Sequence, residues 1–363
     1  MTGKSVTDQR TASVLQILRD EDLDGFLFFG LPNIRYLCGF TGTDGALLIK
    51  SDETVFLTDS RYVTQANDQV SADRVHCYRN KLQAIADELR DAGCRKVGFD
   101  SEAVTVGLYD ELKPLADPQI QWLPVKKQLQ PLRGRKTAEE LVALQKAADL
   151  NKAAFEAVLP LIKPGISERQ LALELEFTLK RLGGETNAFD FIVASGTRGA
   201  LPHGIASNKQ LNAGELVTID FGTRVAGYHS DETVTLALGH IDGKLRQIFN
   251  IVLEAHDLAL DAVRPGIHAA ALDAVARDHI VAAGYGDYFG HGLGHGVGLE
   301  IHEYPTLSSR SETQLEEGMV VTIEPGIYLP DFGGVRIEDT VVVTVAGCDI
   351  LTSIPKKFRQ LDQ

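Results

Sequence analysis

Residues 213–222 read AGELVTIDFG, and residues 316–326 read EEGMVVTIEPG. A further stretch rich in β-branched residues follows each of them, SDETVTLAL at 230–238 and RIEDTVVVTV at 336–345. Because Val, Ile and Thr favour extended backbone, each half of this region predicts two neighbouring strands. The matches occur in the same order in both halves, so we favour a duplicated unit over coincidence.

The segment that precedes each strand pair also repeats. KPGISERQLALELEFTLKRLGG begins at Lys163, and RPGIHAAALDAVARDHIVAAGYG begins at Arg264. Each reads as a helix that ends at a glycine, Gly183 in the first copy and Gly284 in the second. We therefore expect a duplicated αβ unit within residues 137–363.

The region before the repeat alternates between two patterns. Apolar runs at 25–30, 45–50 and 54–62 predict strands, and the helical spacing of apolar residues at 11–19 and 82–93 predicts helices. Such alternation is typical of an α/β domain.

A polar segment, QPLRGRKTAEE at 130–140, separates this region from the repeat. Within it, Thr137 followed by Glu140 resembles a capping box that opens the next helix. Because linkers between domains are commonly polar, we expect one domain over residues 1–131 and a second over residues 132–363.

Composition excludes several classes of protein. The chain has 363 residues, 44% of them hydrophobic and 24% charged, which is typical of a folded protein with a full core. Its formal charge of -14 argues against a nucleic-acid partner, which would require a basic surface. The chain shows no apolar run of membrane-span or export-signal type, and its four cysteines lie far apart. We therefore expect a cytoplasmic protein with no membrane partner.

The repeat places an acid at matching positions in its two halves. Asp220 matches Glu324, and Asp231 matches Glu338. Apolar neighbours place the first pair in or beside buried strands, where an unpaired carboxylate is costly. An ion pair or a protonated acid would explain any one of them. Arg336 is the one basic residue in these strands, so for four matched acids we favour a metal site.

A histidine-rich stretch, HGLGHGVGLEIHE at 291–303, lies between the two strand pairs of the repeat. It contains His291, His295 and His302, and the five glycines at 290–298 argue for a loop where backbone approaches a site closely. The spacing differs from HExxH, so that zinc motif does not apply. Any one histidine could be a core residue, but the cluster favours a functional site.

Four carboxylates with one imidazole form an oxygen-rich donor set. Such a set suits two divalent ions such as Mn²⁺, Co²⁺, Fe²⁺ or Zn²⁺ that share carboxylates. Two ions about 3.5–4 Å apart activate water and polarise a carbonyl group, which is hydrolytic chemistry. The residues alone therefore predict a two-metal hydrolase.

Five motifs, in the order TIDFG, SDETVT, HGLGHGVGLEIHE, TIEPGIY and GVRIED, resemble those of the pita-bread metallopeptidases. That family contains methionine aminopeptidases, Xaa-Pro aminopeptidases (aminopeptidase P), Xaa-Pro dipeptidases (prolidases) and creatinase. The preceding FLTDSRY at 56–62 resembles the N-terminal domain of the proline-specific and creatinase branches. The resemblance implies an α/β (α+β) fold, with a C-terminal pita-bread domain of internal pseudo-twofold repeat preceded by a smaller α/β creatinase-like domain.

The resemblance also implies a metal-ligand set. Asp231 and Glu338 would bridge both ions, Asp220 would complete one of them, and His295 with Glu324 would complete the other. Glu324 would also carry a proton during the reaction. With all five residues present, the resemblance argues against a metal-free creatinase.

Five further residues would surround these ligands. His203, in LPHG, matches a family histidine near the substrate carbonyl, and His291 and His302 would flank the site and stabilise the tetrahedral intermediate. Tyr328 and Arg336 resemble residues that orient the ligands.

Two positions depart from the family pattern. Val234 stands where many relatives carry arginine, which implies altered support around Asp231 with ligation kept. Thr306 stands where some prolidases carry an arginine that can hold the free carboxylate of a dipeptide. The resemblance therefore favours an aminopeptidase P-like enzyme over an Xaa-Pro dipeptidase, which is the alternative.

The implied reaction is hydrolysis of the N-terminal Xaa-Pro bond of a peptide with proline at the second position. Mn²⁺ is the foremost metal, and Co²⁺, Zn²⁺ and Fe²⁺ are alternatives. Relatives imply a homodimer or homotetramer. A related amidinohydrolase, and a non-catalytic binding protein on the same fold, are the remaining alternatives.

Overall fold

The computed structural model describes residues 6–361. The chain divides after Arg133 into two compact units. The domain boundary expected between residues 131 and 132 stays a prediction. None of the helices among the described residues has both the length and the apolar character needed to cross a bilayer.

The first unit is a six-stranded mixed sheet with helices. The strands are β1 Gly25–Phe28, β2 Ala46–Lys50, β3 Thr54–Asp59, β4 Arg74–Tyr78, β5 Lys96–Asp100 and β6 Gln121–Val125. The helices are α1 Val6–Asp20, α2 Leu31–Cys38, α3 Val63–Gln69, α4 Lys81–Asp91, α5 Val106–Leu112 and α6 Gln130–Gly134. The sheet order is β4-β3-β2-β1-β5-β6, in which β2 pairs antiparallel with both β1 and β3 and the other pairs are parallel. This arrangement confirms the α/β character predicted for the first part of the chain.

The second unit begins with the first copy of the repeat. Its helices are α7 Ala138–Val158 and α8 Glu168–Arg181, and its strands are β7 Ile192–Ser195, β8 Leu216–Phe221, β9 Arg224–Val225, β10 Tyr228–His229 and β11 Glu232–Leu238. Short 3₁₀ turns lie at Leu159–Leu161 and Gly196–Ala200. Strands β7, β8 and β11 form an antiparallel sheet, which is completed by β19 Gln360–Leu361.

The second copy has the same order of helices followed by strands. Its helices are α9 Gly243–Ala262 and α10 Ala269–Ala282, with a 3₁₀ turn at Gly286–Tyr288. Its strands are β12 Gly294–Gly296, β13 Glu303–Leu307, β14 Val320–Ile323, β15 Gly326–Leu329, β16 Gly333–Arg336, β17 Asp339–Val343 and β18 Cys348–Ile350. Strands β12, β13, β14, β17 and β18 form an antiparallel sheet, and β15 pairs with β16.

Local signals at the helix ends behave as predicted. The Thr137 hydroxyl accepts a hydrogen bond from the Glu140 amide at 3.3 Å, and the Glu140 carboxylate accepts one from the Thr137 amide at 2.7 Å, which confirms the capping box. Gly183 and Gly284 follow α8 and α10 with φ of 106° and 85°, a conformation that glycine adopts without strain. The polar segment 130–140 differs from a simple linker because α6 occupies its first half.

Two apolar cores hold the repeat together. The first packs α7 and α8 against β7, β8 and β11, and it includes fully buried Leu171 and Ile219. The second packs α9 and α10 against β14, β15 and β17, and it includes fully buried Leu272 and Val321. Leu171 and Leu272 occupy matching positions in the two predicted helices. Each strand pair therefore has its own helical support, which fixes where the acids at the strand ends lie.

Candidate metal centre and active-site cavity

A cavity of about 570 Å³ opens in the second unit. All the candidate site residues taken from the sequence line it, namely His203, Asp220, Asp231, His291, His295, His302, Glu324, Tyr328, Arg336 and Glu338. The histidine-rich stretch does not form a helix. It instead contributes the short strand β12, and a Cβ atom at Gly294 would collide with the carbonyl oxygen of Thr322 on β14. The glycines therefore allow His295 to approach the carboxylates of the neighbouring strand.

Asp231, His295 and Glu338 form the centre of this cavity. One ligand atom of each lies within 4.8 Å of the others. The Nε2 atom of His295 is 3.6 Å from Asp231 Oδ2 and 3.2 Å from Glu324 Oε1. The opposite ring nitrogen, Nδ1, lies 3.1 Å from the Gly296 carbonyl oxygen, which can only accept a hydrogen bond, so Nδ1 is the donor of this pair. Nε2 therefore faces the carboxylates, as a metal-binding imidazole requires.

The two strand pairs of the repeat hold these acids in register. Strand β8 pairs with β11 so that Asp220 lies opposite Thr233, and β14 pairs with β17. The Thr233 hydroxyl donates to Glu338 Oε2 at 2.6 Å, and the Thr340 hydroxyl donates to the backbone carbonyl of Asp231 at 2.8 Å. Each half of the repeat therefore orients an acid of the other half.

Arg336 supplies the buried positive charge next to the cluster. It is 3% exposed, and its Nη2 donates to Asp220 Oδ2 at 2.6 Å. Its Nη1 donates to the Tyr328 hydroxyl at 3.0 Å and to the Pro202 carbonyl at 3.1 Å, and its Nε donates to Thr233 Oγ1 at 3.2 Å. Each nitrogen of the guanidinium group therefore donates to at least one neighbour.

Burial opposes ionisation of all four acids in this cluster. Burial, reinforced by repulsion from neighbouring acids, raises the pKa of Asp231 and that of Glu338 well above their usual ranges. Burial also raises the pKa of Asp220, whose Oδ1 atom has no hydrogen-bond partner in the described part of the chain. Burial opposes ionisation of Glu324 too, but the hydrogen bond and charge of His295 lower its pKa to about 2.

The donor set fits divalent metal ions. Three buried carboxylates (Asp220, Asp231 and Glu338) and the partly exposed Glu324 line the cavity with one guanidinium and one imidazole, and Asp220 Oδ1 is buried without a hydrogen-bond partner in the described part of the chain. Carboxylates and imidazole are ligands that Mn²⁺, Co²⁺, Fe²⁺ and Zn²⁺ accept. Bound cations would remove the repulsion that raises the two pKa values. The residues that could hold them are Asp220, Asp231, His295, Glu324 and Glu338.

The other histidines line the same cavity in different ways. Burial lowers the pKa of His291 and that of His302, so both rings are neutral near pH 7. The His302 ring packs edge-on against His295, with 4.4 Å between ring centroids. His291 has its Nδ1 2.8 Å from the Gly292 carbonyl and its Nε2 2.9 Å from the Tyr328 hydroxyl. The catalytic role expected for His291 stays a prediction, and here its ring orients Tyr328.

A buried carboxylate that the sequence analysis missed anchors the loop that carries His203. Glu168, at the start of α8, is fully buried and accepts hydrogen bonds from the amides of Ser195 and Ser207 at 2.9 and 3.1 Å. It also accepts from both serine hydroxyls, at 2.9 and 2.6 Å, and pairs with Arg198. One side chain therefore ties together both ends of the segment that contains His203.

A second buried carboxylate anchors the segment that carries His291. Asp273 on α10 accepts from Arg277 Nε and Nη2 at 2.7 and 2.9 Å and from the Leu293 amide at 3.0 Å. Arg277 in turn donates to the carbonyls of Phe289 and His291 at 2.9 and 2.7 Å. This anchor, too, was not apparent from the sequence, since neither residue belongs to a motif.

Replacing Glu168 with glutamine is expected to lower kcat/KM by about 10²-fold while leaving metal affinity unchanged, because displacement of His203 by about 1 Å disturbs substrate placement. Steady-state kinetics and metal titration together measure this. Glu176→Gln is the matched control, since Glu176 lies on the same helix but pairs with Lys180 at the surface. Unchanged kcat/KM in a folded Glu168→Gln variant would contradict the anchoring role.

The cavity also has an apolar wall that the motifs did not reveal. Phe189, Ile192, Ile205 and Ile301 form this wall together with Asp190, and Ile192 lies across the sheet from Asp220. Ile301 is distant in sequence from the other three, so periodicity could not group them. The cavity thus combines acidic and apolar lining, which suits a small substrate with a polar reacting bond and an apolar ring.

The two departures from the family pattern have different surroundings. Val234 is 2% exposed and packs in the first core with Leu236, because alternation along β11 turns it away from the face of Thr233. The altered support expected around Asp231 therefore does not arise from contact with this side chain. Thr306 lines the cavity, on the strand that follows His302.

Comparison with known proteins identifies the family to which the chain belongs. Residues 142–345 match metallopeptidase family M24, and residues 10–134 match the creatinase/prolidase N-terminal domain. The chain is 37% identical to an Xaa-Pro dipeptidase of Pyrococcus horikoshii, over 97% of this chain and 99% of that one.

Solved structures show the same architecture. An Xaa-Pro dipeptidase from Bacillus anthracis is 41% identical, with a TM-score of 0.95 over 98% of this chain and 100% of that one. An X-Pro aminopeptidase from Thermotoga maritima is 34% identical, with a TM-score of 0.86 over 94% of this chain and 100% of that one. These matches confirm the predicted fold, a creatinase-like domain followed by a pita-bread domain. The chain belongs to metallopeptidase family M24, in the branch that carries a creatinase/prolidase N-terminal domain.

Proposed function

We propose that this metallopeptidase uses two divalent ions, Mn²⁺ foremost, to hydrolyse the bond between a first residue and proline, chiefly in Xaa-Pro dipeptides. The catalytic machinery lies within the domain expected over residues 132–363. Membership of a peptidase family favours an enzyme over a non-catalytic binding protein. A homodimer or homotetramer in the cytoplasm remains our expectation for the assembly and its location.

One observation carries the proposal. Four carboxylates carried on or next to strands of two sheets converge on one imidazole in a cavity, and among the described residues that line it Arg336 is the one arginine, paired with Asp220. Burying unpaired charges is costly, so the cluster requires further positive charge. Asp231 and Glu338, with His295, each offer a ligand atom within 4.8 Å of the others and would hold the ions. Burial and the neighbouring acids raise the pKa of both Asp231 and Glu338, and a bound cation would favour their ionised forms.

The residues of the chain supply the remaining chemistry. When bound, the divalent ions supply an activated water and polarise the scissile carbonyl. Glu324, which is held by the Thr322 hydroxyl at 3.1 Å, accepts a proton from the attacking water and delivers it to the leaving proline nitrogen. His302, a neutral ring, donates an N–H to the carbonyl oxygen where negative charge develops. His203 lines the cavity beside this point and assists in the same way.

The apolar wall suits proline. An Xaa-Pro amide has no N–H, so a peptidase cannot hold this bond through that donor. Phe189, Ile192 and Ile301 offer instead a surface on which the pyrrolidine ring can pack. The free amino group of the first residue is cationic and would lie towards the carboxylates of Asp220, Asp231, Glu324 and Glu338.

The choice between dipeptides and longer peptides rests on two opposing observations. The relatives with 41% and 37% identity are named Xaa-Pro dipeptidases, which favours the dipeptidase over the aminopeptidase that the sequence analysis preferred. Among the described residues that line the cavity, Arg336 is the one arginine and there is no lysine. Because Arg336 is committed to Asp220 and Tyr328, the free carboxylate of a dipeptide finds no uncommitted cation there. This observation keeps the aminopeptidase as the second candidate.

A direct comparison of substrates tests the proposal. The Mn²⁺-loaded protein is assayed with Xaa-Pro dipeptides, with Xaa-Pro-Yaa tripeptides that share the same first residue, and with matched Xaa-Ala dipeptides. We expect the highest kcat/KM for Xaa-Pro dipeptides. Preference for tripeptides would select the aminopeptidase. Absence of cleavage of every proline substrate, with metal bound, would refute the enzymatic proposal.

Metal binding should release protons. Asp231 and Glu338 have raised pKa values, so they hold protons at a pH at which ordinary carboxyl groups are ionised. A metal ion requires the ionised form, and its apparent affinity therefore falls as pH falls. Calorimetric titration with Mn²⁺ in two buffers of different ionisation enthalpy measures the proton count. Equal heats in both buffers at mildly acidic pH would contradict the raised pKa values.

A further inference from the structure

The residues that directly follow two of the central acids are themselves acidic. Glu232 follows Asp231, and Asp339 follows Glu338. Because successive side chains on a strand point to opposite faces, Glu232 and Asp339 lie on the reverse side of the strands that carry the centre. Both are buried, with Glu232 at 0% and Asp339 at 5% exposure. Neither takes part in the chemistry proposed above.

Lys356 forms ion pairs with both of these acids, on the face of the strands that points away from the metal centre. Its Nζ lies 2.6 Å from Glu232 Oε1 and 3.3 Å from Asp339 Oδ1, and its side chain is 7% exposed. The chain segment that carries Lys356 makes two further hydrogen bonds to the same acids. The Ile354 amide donates to Glu232 Oε1 at 3.0 Å, and the Thr352 hydroxyl donates to Asp339 Oδ1 at 2.6 Å.

The bridge connects two separate sheets. Glu232 opens β11 in the sheet of β7, β8, β11 and β19, whereas Asp339 opens β17 in the five-stranded sheet. On the side of the cavity, these strands meet through the Thr233 hydroxyl and the Thr340 hydroxyl. Asp231 directly precedes Glu232 and Glu338 directly precedes Asp339, so the spacing of the two strands here affects the spacing of the Asp231 and Glu338 carboxylates. Lys356 contacts both strands at this point.

Charge favours the same role. Without the ammonium group, two buried carboxylates would face each other behind the acidic centre, with the His256 imidazole, 3.2 Å from Asp339 Oδ2, as the remaining basic partner. Their repulsion would push the two strands apart. A lysine that contacts both acids holds the strands together and neutralises part of this charge.

We propose that Lys356 is a positioning residue of the metal centre, which sets the distance between Asp231 and Glu338 by joining Glu232 to Asp339. The inference rests on the proposed metal site. Residues that orient metal ligands from outside typically change metal affinity by about 10–100-fold when they are removed. Lys356 therefore affects the metal centre without touching substrate or metal.

The test is Mn²⁺ titration of the chelator-treated full chain by calorimetry, for the wild-type protein and a Lys356→Met variant. We expect the variant to bind Mn²⁺ about 10–100-fold more weakly, and Lys356→Arg to recover most of the loss. Lys209→Met is the matched control, since Lys209 also pairs with a glutamate at 2.6 Å in the same unit but contacts neither strand. The control should keep wild-type affinity.

A second variant covers the case in which Lys356→Met does not fold. Glu232→Gln/Lys356→Met removes the lysine together with one of its two acids, so Glu232 no longer leaves a buried charge and Asp339 keeps His256 at 3.2 Å as its basic partner, and weaker Mn²⁺ binding is still expected. The electron paramagnetic resonance spectrum of the Mn²⁺-loaded protein adds a readout of the coupling between two ions, which depends on their separation. Unchanged affinity and spectrum in the folded variant, or equal loss in Lys209→Met, would overturn the proposal. Failure of the wild type to bind Mn²⁺ would instead refute the proposed function.

Discussion

Glu324→Ala is expected to reduce Xaa-Pro hydrolysis by at least about 10³-fold while leaving the fold intact. The carboxylate is both a proposed metal ligand and the proton carrier, and a single charge-stabilising group in an active site is worth about 10²–10³-fold. The side chain lies just after β14 and faces the cavity, so its loss removes no core packing. Steady-state kinetics in metal-controlled buffer, with circular dichroism and thermal unfolding, measure both parts of this expectation.

His295→Ala is the companion variant, because it removes a proposed ligand without removing the proton carrier. It should bind metal more weakly and lose activity as well. Thr306→Ala serves as a control on the cavity wall, since no role in metal binding is assigned to it. Retained turnover in both Glu324→Ala and His295→Ala would refute the assigned roles.

Arg336→Met should produce the largest loss of stability among single substitutions at the site. Removing one partner of a buried ion pair costs about 3–5 kcal/mol, since the other charge is left without compensation. Here Asp220 would lose its partner, and Tyr328 and Thr233 would lose donors. Urea unfolding of the chelator-treated protein measures the change in the free energy of unfolding.

Two comparisons make this expectation specific. Arg336→Lys keeps the charge but loses the planar arrangement of donors, and it should recover part of the stability. Added Mn²⁺ should stabilise Arg336→Met more than the wild type if the metal and the guanidinium compensate the same carboxylates. Unfolding curves of Arg336→Met that match those of the wild type would show that the guanidinium is not a main support of the cluster.

The sequence was most informative where a motif and a repeat coincided. The matched acids Asp220 and Glu324 lie at or just after the ends of β8 and β14, as the strand patterns predicted. Capping-box residues and terminal glycines located the helix ends, because these signals depend only on neighbours within one turn. The convergence of the candidate residues on one cavity followed from family resemblance and not from spacing.

The supporting contacts could not be predicted because they join residues that are distant in sequence. Glu168 lies in a predicted helix, but nothing local shows that it reaches Ser195 and Ser207. Lys356 lies in a segment without regular structure and contacts Glu232 in one sheet and Asp339 in another. Periodicity reports which face of an element is buried, whereas such contacts depend on the packing of whole elements.

The central claim is that metal ions held by the carboxylate cluster carry out the hydrolysis. Titration of the chelator-treated enzyme with Mn²⁺, with Xaa-Pro dipeptide hydrolysis followed at each addition, tests it most directly. We predict no hydrolysis without metal and a rise in rate that reaches its maximum when two ions are bound to each subunit. Hydrolysis at an undiminished rate in the metal-free protein would contradict the claim.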